Sequence, residues 1–181
     1  FLREPKNREQ LLSLLREAEQ RSLLDADALA MIEGVLQFSD MQVRDIMIPR
    51  SQMIAIDESM SLEQYLSIII ESGHSRFPVL NGQQNEVIGI LHAKDLLRFS
   101  QNTEKRLLRN IIRPAVFVPE SKKIDVLLKE FQTNRNHMGI VVDEYGGIAG
   151  FVTIEDIIEQ IVGDIEDVFD IVEEAYIKQV S

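Results

Sequence analysis

The chain follows one template twice. Val43-Arg-Asp-Ile-Met-Ile-Pro49 opens a segment that closes with Gly89-Ile-Leu-His-Ala-Lys-Asp95. Leu108-Arg-Asn-Ile-Ile-Arg-Pro114 opens a second, which closes with Gly150-Phe-Val-Thr-Ile-Glu-Asp156. Gly89 and Asp95 fall on Gly150 and Asp156 at a single offset. A period this long, present only twice, is no solenoid. It specifies two copies of one small α/β unit. Neither copy is large enough to bury a comfortable core alone, so the two should pack their sheets against each other. Function is then expected where the copies meet and where they differ.

Composition narrows the possibilities. Apolar residues make up 45% of the chain, enough for a real core. There is no Cys, which removes disulfide scaffolds and thiolate metal sites. No apolar run approaches the ~20 residues that a membrane helix needs. No signal peptide is visible, and a cytoplasmic setting is the default expectation. Phe1 stands where a start Met would, as in a fragment of a longer chain. The net charge of −11 disfavours sequence-independent nucleic-acid binding, which needs Lys and Arg to neutralise phosphates. It leaves room for one local basic pocket.

The coarse reading assigns residues 1–42 to a helical arm, 43–103 and 104–163 to the repeats, and 164–181 to an acidic linker or helix. In the arm, Asn7 is placed to cap a helix, with Gln10 completing a capping box. Leu11, Leu14 and Leu15 form its apolar stripe. Asp25 caps a second helix whose inner face carries Leu29, Ile32, Val35 and Leu36. Each repeat then reads β-α-β-β-α. In the first, Met53 to Ile56 is a short strand, Ser61 with Gln64 starts a helix and Gly73 ends it. Phe77 to Leu80 and Val87 to Leu91 are strands, and Ala93 to Phe99 is a helix. In the second, Val116 to Val118, Gly139 to Val142 and Ile148 to Val152 are strands. Ser121 to Thr133 and Ile154 to Val162 are helices, the last stopped by Gly163. Asp143-Glu-Tyr-Gly-Gly147 is far too short for an EF-hand and reads as a hairpin turn. The tail carries Asp164, Glu166, Asp167, Asp170, Glu173 and Glu174 without a basic residue, the pattern of a solvated linker.

The sharpest local signal is Thr153-Ile-Glu-Asp156, where a strand hands over to a helix. Thr-x-x-Asp is a capping-box pattern and needs no ligand to explain it. The same geometry also suits a nucleotide. A helix N-terminus offers free N–H groups and a positive dipole end to phosphate, and a nearby carboxylate can accept both ribose hydroxyls. From pattern alone both readings stay open. Arg76, in His74-Ser-Arg-Phe-Pro78, is either an edge-strand Arg in water or a planar ligand for a triphosphate. Its counterpart in the second repeat is Met138, while the counterpart of Thr153 in the first is His92. Arg76 and Thr153 therefore belong to different copies, and twofold packing would join them into one complete phosphate site. The mate of that site would hold His92, Asp95 and Met138 and be weaker. No metal-ligand His spacing, nucleophile elbow or Walker loop is present.

The paired units, each ending in Gly-h-h-x-x-x-Asp (h apolar), resemble a tandem CBS domain, or Bateman module. More narrowly, Arg44-Asp-Ile-Met-Ile-Pro-Arg50, Ser75-Arg-Phe-Pro-Val79, His137-Met-Gly-Ile-Val-Val-Asp-Glu-Tyr-Gly-Gly147 and Val152-Thr-Ile-Glu-Asp-Ile-Ile-Glu159 are similar to the CorC/HlyC family of magnesium and cobalt efflux proteins. Glu4-Pro-Lys-Asn-Arg8 and the helices after it extend the likeness, and metazoan CNNM magnesium transporters carry the same module beneath a membrane domain. The resemblance implies ATP or another adenine nucleotide (AMP, ADP) between the repeats, often with Mg2+. Thr153 would contact phosphate, Asp156 the ribose and Arg76 the triphosphate. His74, Ile48 and Pro78 would fall in the segments around the base. His74 stands where some relatives have Tyr. Full-length members carry a further small C-terminal domain, and some a transmembrane domain ahead of the module.

These expectations add up to a non-enzymatic regulatory nucleotide-binding module acting on cation efflux through a membrane component or another domain. The metal would enter only with bound ATP. The competing reading is a structural dimerisation module whose ligand site is vestigial. A homodimer is expected in either case, with Leu62, Leu66 and Ile69 and Leu127, Leu128 and Phe131 supplying apolar faces, about half of which would belong to the core.

Overall fold

The computed structural model describes residues 4–82, 85–99 and 108–163. The arm is α1 (Arg8–Gln20) and α2 (Ala26–Phe38). Asn7 Oδ1 accepts from the Gln10 N–H and Asp25 Oδ1 from the Ala28 N–H, so both caps form. The Gln10 side chain reaches back to the Lys6 N–H rather than to the cap residue. Val35 is exposed, contrary to its expected inward face; Phe38 is the buried residue of α2. The two helices are tied to each other by Arg16 and Glu33 at 3.1 Å, and the start of α1 to the end of α2 by Arg8 and Asp40.

The first repeat contains α3 (Val43–Ile46), β1 (Ile48–Pro49), β2 (Ile56–Asp57), α4 (Leu62–Ser72), β3 (Arg76–Asn81), β4 (Glu86–His92) and α5 (Ala93–Phe99). The second contains β5 (Phe117–Pro119), α6 (Ile124–Asn134), β6 (Met138–Val142), β7 (Ile148–Thr153) and α7 (Ile154–Val162). The β-α-β-β-α grammar holds in both. The strand expected from Met53 is reduced to Ile56 and Asp57, because Arg50 to Gln52 turn as a 3-10 helix. The helix expected from Ser121 starts three residues later. Residues 119–122 form a turn instead, closed by the Lys122 N–H donating to the Pro119 oxygen at 3.1 Å, while the Val43 and Arg44 N–H groups donate to Lys122 and Glu120 and Gln42 bridges Lys123.

The three-stranded sheet runs β2-β3-β4, with β2 parallel to β3 and β4 antiparallel. The other sheet runs β1-β7-β6-β5. Its first strand comes from the other repeat. Ile48 pairs with Phe151 and Pro49 with Gly150. The mirror exchange is a bridge between Arg113 and Ile90, each donating to the other at 2.8 Å. Each opening segment thus adds to the last strand of the opposite copy. This explains the repeated glycine. A Cβ on Gly150 would lie 2.0 Å from the Ile48 oxygen, and one on Gly89 would lie 2.8 Å from the Arg113 oxygen.

The core follows the same symmetry. Ile56, Tyr65, Phe77, Val79 and Leu91 form one cluster. Val118, Ile124, Leu127, Phe131, Val141, Val152 and Ile157 form another, joined by Phe38 of the arm and Val43. Between them Ile90, Met138 and Ile140 make the seam where the sheets meet. Each such side chain contributes about 1.5–3 kcal/mol when fully buried, so the seam alone binds the copies firmly. Leu127 and Phe131 are fully buried in the core and cannot serve a dimer face as expected. Leu62 is exposed, while Leu66 and Ile69 pack on the core edge.

Candidate functional site

Between the copies lies a cleft of about 380 Å³, lined by both. The first repeat supplies Ile48, Ile54, His74 and Arg76; the second supplies Phe151, Thr153, Glu155 and Asp156. The sequence grouped Ile48, His74, Arg76, Thr153 and Asp156, and the fold brings these five to one place. Pro78 is not there. It lies two residues deeper in β3, is buried, and pairs with Ile90. Ile54, Gln52, Phe151 and Glu155 were missed. The repeated Gly-h pair could have signalled Phe151, since Gly150 exists to let Ile48 cross beside it.

Thr153 and Asp156 form a complete capping box. The Asp156 N–H donates to Thr153 Oγ1 at 3.2 Å, and the Thr153 N–H donates to Asp156 Oδ2 at 2.8 Å. The cap fixes both side chains at the mouth of the cleft, with the positive end of α7 behind them. Opposite stands Arg76, paired across the strands with His92 at the start of β3. Its Nη1 approaches Glu155 at 3.9 Å, a loose contact with an exposed carboxylate. Its Nε is buried without a hydrogen-bond partner. An unsatisfied buried guanidinium donor is costly, and an anion in the cleft would satisfy it. Ile48, Ile54 and Phe151 give the other wall an apolar face. His74 is exposed there, with its ring 6.3 Å from that of Phe77.

The mate of this arrangement is built differently. Asp95, the equivalent of Asp156, is buried and accepts two hydrogen bonds from Arg113, at 2.8 and 2.9 Å. Arg113 stands where the first copy has Ile48. The carboxylate in turn raises the guanidinium pKa above its ordinary value, chiefly through these hydrogen bonds. His92, in the place of Thr153, is pushed down to about 4 by burial and by the charges of Arg113 and Arg76. It is therefore neutral at pH 7. Sequence comparison of the copies named Asp95 and His92 but overlooked Arg113, whose signal was the change from Ile-Pro to Arg-Pro.

The comparisons with known proteins decide the family. The CBS domain family matches residues 43–102 and 108–163, and the N-terminal region of NMB0537 matches residues 3–38. The chain is 53% identical, over its whole length, to a magnesium and cobalt efflux protein CorC from Pasteurella multocida. The chain belongs to the CorC family of tandem CBS proteins. It spans 61% of the length of that CorC relative. A conserved domain of unknown function from Neisseria meningitidis MC58 is 54% identical with a TM-score of 0.76, over 82% of this chain and 97% of that one. The CBS domain of a bacterial CNNM/CorC family Mg2+ transporter in complex with ATP is 42% identical with a TM-score of 0.68, over 74% of this chain and 96% of that one. Among the described residues no helix is long and apolar enough to cross a membrane, and no group of three or more His, Asp or Glu could hold a metal ion.

Proposed function

We propose that this CorC module is a nucleotide-responsive regulator, and that an adenine nucleotide in the cleft between Arg76 and Thr153 governs magnesium and cobalt efflux by the full-length protein. The observation that carries the reading is the convergence of Arg76 from one repeat with Thr153 and Asp156 from the other in a single cleft. Its 380 Å³ lies within the ~300–1,000 Å³ usual for small-molecule sites. Phosphates sit at the N-terminus of α7 against Thr153, with Arg76 closing from across the seam. Asp156 accepts from the ribose. Ile48, Ile54 and Phe151 enclose the base, with His74 at its edge. Mg2+ would enter with ATP and offset part of the triphosphate charge. The ATP-bound CorC-family relative supports the ligand class.

A ligand bound by both repeats stabilises one relative arrangement of them, and only through such differential binding can it bias an attached domain or partner. The role is regulatory rather than catalytic: the groups named hold phosphate. Pairing with a second copy would cover the exposed Leu62 and Ile70 of α4. The test of the reading is calorimetry with ATP, ADP and AMP, with and without Mg2+. One site per chain, lost in Asp156→Ala, is expected. Absence of binding by any of the three leaves the capping box as a purely structural device and the module as a scaffold.

A further inference from the structure

The larger cleft has a pseudo-twofold mate with a volume of only about 90 Å³. Three replacements account for the difference. Arg113 stands for Ile48, His92 for Thr153, and Arg135 for Gly73. The last pair shows that the backbones correspond: Gly73 and Arg135 end α4 and α6 in the same left-handed conformation, at φ 66° and 54°. The Arg113 side chain reaches Asp95 and takes both of its oxygens. The one carboxylate that could bind a ribose is thereby used, and the space left is too small for a nucleoside.

Three arginines, Arg76, Arg113 and Arg135, line the small cleft beside His92 and His137, and no Asp or Glu does. Arg113 is paired with Asp95, so Arg76 and Arg135 are the cations it offers to a ligand. In a chain of net charge −11 such a concentration stands out. Arg76 lines both clefts, and its buried Nε has no hydrogen-bond partner. The volume fits one tetrahedral oxyanion, and planar guanidinium groups suit its oxygens.

We propose that the small cleft binds a single phosphoryl-type oxyanion, and that Arg76 links its occupancy to the nucleotide cleft. The group has two available sources: free inorganic phosphate, or the terminal phosphate of a nucleotide seated in the larger cleft. The oxyanion site itself does not need the nucleotide reading to be true; the link through Arg76 rests on it.

The experiment is titration calorimetry with inorganic phosphate in a phosphate-free, sulfate-free buffer, on the whole chain. One phosphate per chain is expected. Arg135→Gly should weaken it at least tenfold while leaving AMP binding unchanged. That variant suits the left-handed backbone, so loss of fold is not expected to confuse the result; His137→Ala is the second variant. Saturation with AMP should leave phosphate binding in place. If ATP then displaces phosphate where AMP does not, the terminal phosphate is the source; if ATP and phosphate bind together, free phosphate is. No phosphate uptake by the wild type, no effect of Arg135→Gly and His137→Ala, or displacement by AMP would overturn the proposal. Phosphate uptake without any nucleotide binding would instead sink the nucleotide reading and the link through Arg76, and leave the oxyanion site standing.

Discussion

Arg113 grips Asp95 with two parallel hydrogen bonds of 2.8 and 2.9 Å, and the equivalent carboxylate, Asp156, has Ile48 in place of that arginine. The two copies keep the same glycine, the same strand crossing and the same carboxylate position. Among the three replacements that part them, the one at the residue before the proline decides the fate of the carboxylate. One choice closes a cleft with an internal ion pair, and the other leaves a cleft open to a ligand.

The partners of that ion pair are unequal, which gives the first prediction. Asp95 is buried, whereas the Arg113 side chain is 45% exposed. Removing Asp95 lets Arg113 turn to water. Removing Arg113 takes two charge-assisted hydrogen bonds from a carboxylate that stays buried. Asp95→Ala should cost about 2 kcal/mol, the scale of hydrogen bonds to a charged group. Arg113→Ile should cost about 3–5 kcal/mol, as for a broken buried pair. Asp95→Ala should also keep the nucleotide stoichiometry of the wild type. Urea unfolding and calorimetry measure both; a larger loss in Asp95→Ala contradicts the account.

Thr153 separates cap from ligand contact. Thr153→Ser keeps a hydroxyl and should retain both stability and nucleotide binding. Thr153→Ile loses the cap, worth ~1 kcal/mol, which is about 2–4 °C in Tm for a chain of this size. Its nucleotide affinity should fall by far more than that loss predicts, at least tenfold. Thermal melts with and without ATP check it. An affinity drop no greater in Thr153→Ile than in Thr153→Ser would remove Thr153 from the site.

The glycines make a graded pair. In Gly150→Ala the new methyl would sit 2.0 Å from the Ile48 oxygen, against backbone that must move. In Gly89→Ala the contacts are 2.8 Å, to the Arg113 oxygen and the flexible end of Ile112. Both should destabilise, Gly150→Ala the more. It should also weaken nucleotide binding, because it displaces Ile48 from the wall of the cleft. Equal Tm losses with ATP affinity intact in Gly150→Ala would show that β1 does not shape the site.

Much of this was legible beforehand. The repeat predicted two β-α-β-β-α units, and Ser61, Gly73, Thr153 and Gly163 marked helix ends as cap chemistry requires. The pooling of Arg76 with Thr153 and Asp156 followed from their unequal distribution between copies. The exchange of β1 was not legible. Ile48 and Pro49 are too short a strand to carry a periodic signal, and their partner lies about a hundred residues away. Pro78 illustrates a second limit: sequence adjacency to Arg76 does not put it in the cleft, because β3 runs inward from its first residue. Leu127 and Phe131 illustrate a third. An apolar helix face reads the same whether its partner is the chain's own core or a second copy.

His92 gives a pH dependence with a defined sign. Its folded pKa is about 4, below the ordinary 6.5, because burial and the Arg113 and Arg76 charges disfavour imidazolium. The unfolded chain therefore binds more protons between those values, and stability falls as pH drops from about 6.5 towards 4. Asp95 and Lys94 also face this ring, the first opposing the shift and the second adding to it. Asp57, Glu58 and Asp40, whose pKa values are lowered by hydrogen bonds to Ser59, Arg109 and Arg8, act in a lower window, below the ordinary carboxylate range. His92→Gln should flatten the stability profile between pH 4.5 and 6.5 and leave the steeper acid limb. An unchanged profile in that window would mean that His92 titrates normally.

Magnesium should strengthen ATP binding. The chain carries −11, and Glu155 sits at the cleft within 3.9 Å of the arginine assigned to the phosphates. A bare triphosphate entering there meets one guanidinium already shared with a carboxylate. Mg2+ bridges phosphate oxygens while keeping several waters, so the magnesium complex presents less negative charge to Glu155. ATP affinity should therefore drop several-fold on chelation. AMP, with less charge to mask and less reach past Arg76, should hardly respond. Glu155→Gln should raise the affinity for metal-free ATP and shrink the difference between the chelated and magnesium-loaded titrations. The Arg76→Ala variant should lose ATP affinity in both conditions, which separates loss of the phosphate ligand from loss of charge screening. Titrations of wild type and the two variants, with ATP and AMP in excess Mg2+ or chelator, measure every term. An ATP affinity indifferent to chelation in the wild type would mean that the triphosphate lies away from Glu155, and that Arg76 meets it from a different side than the cleft geometry implies.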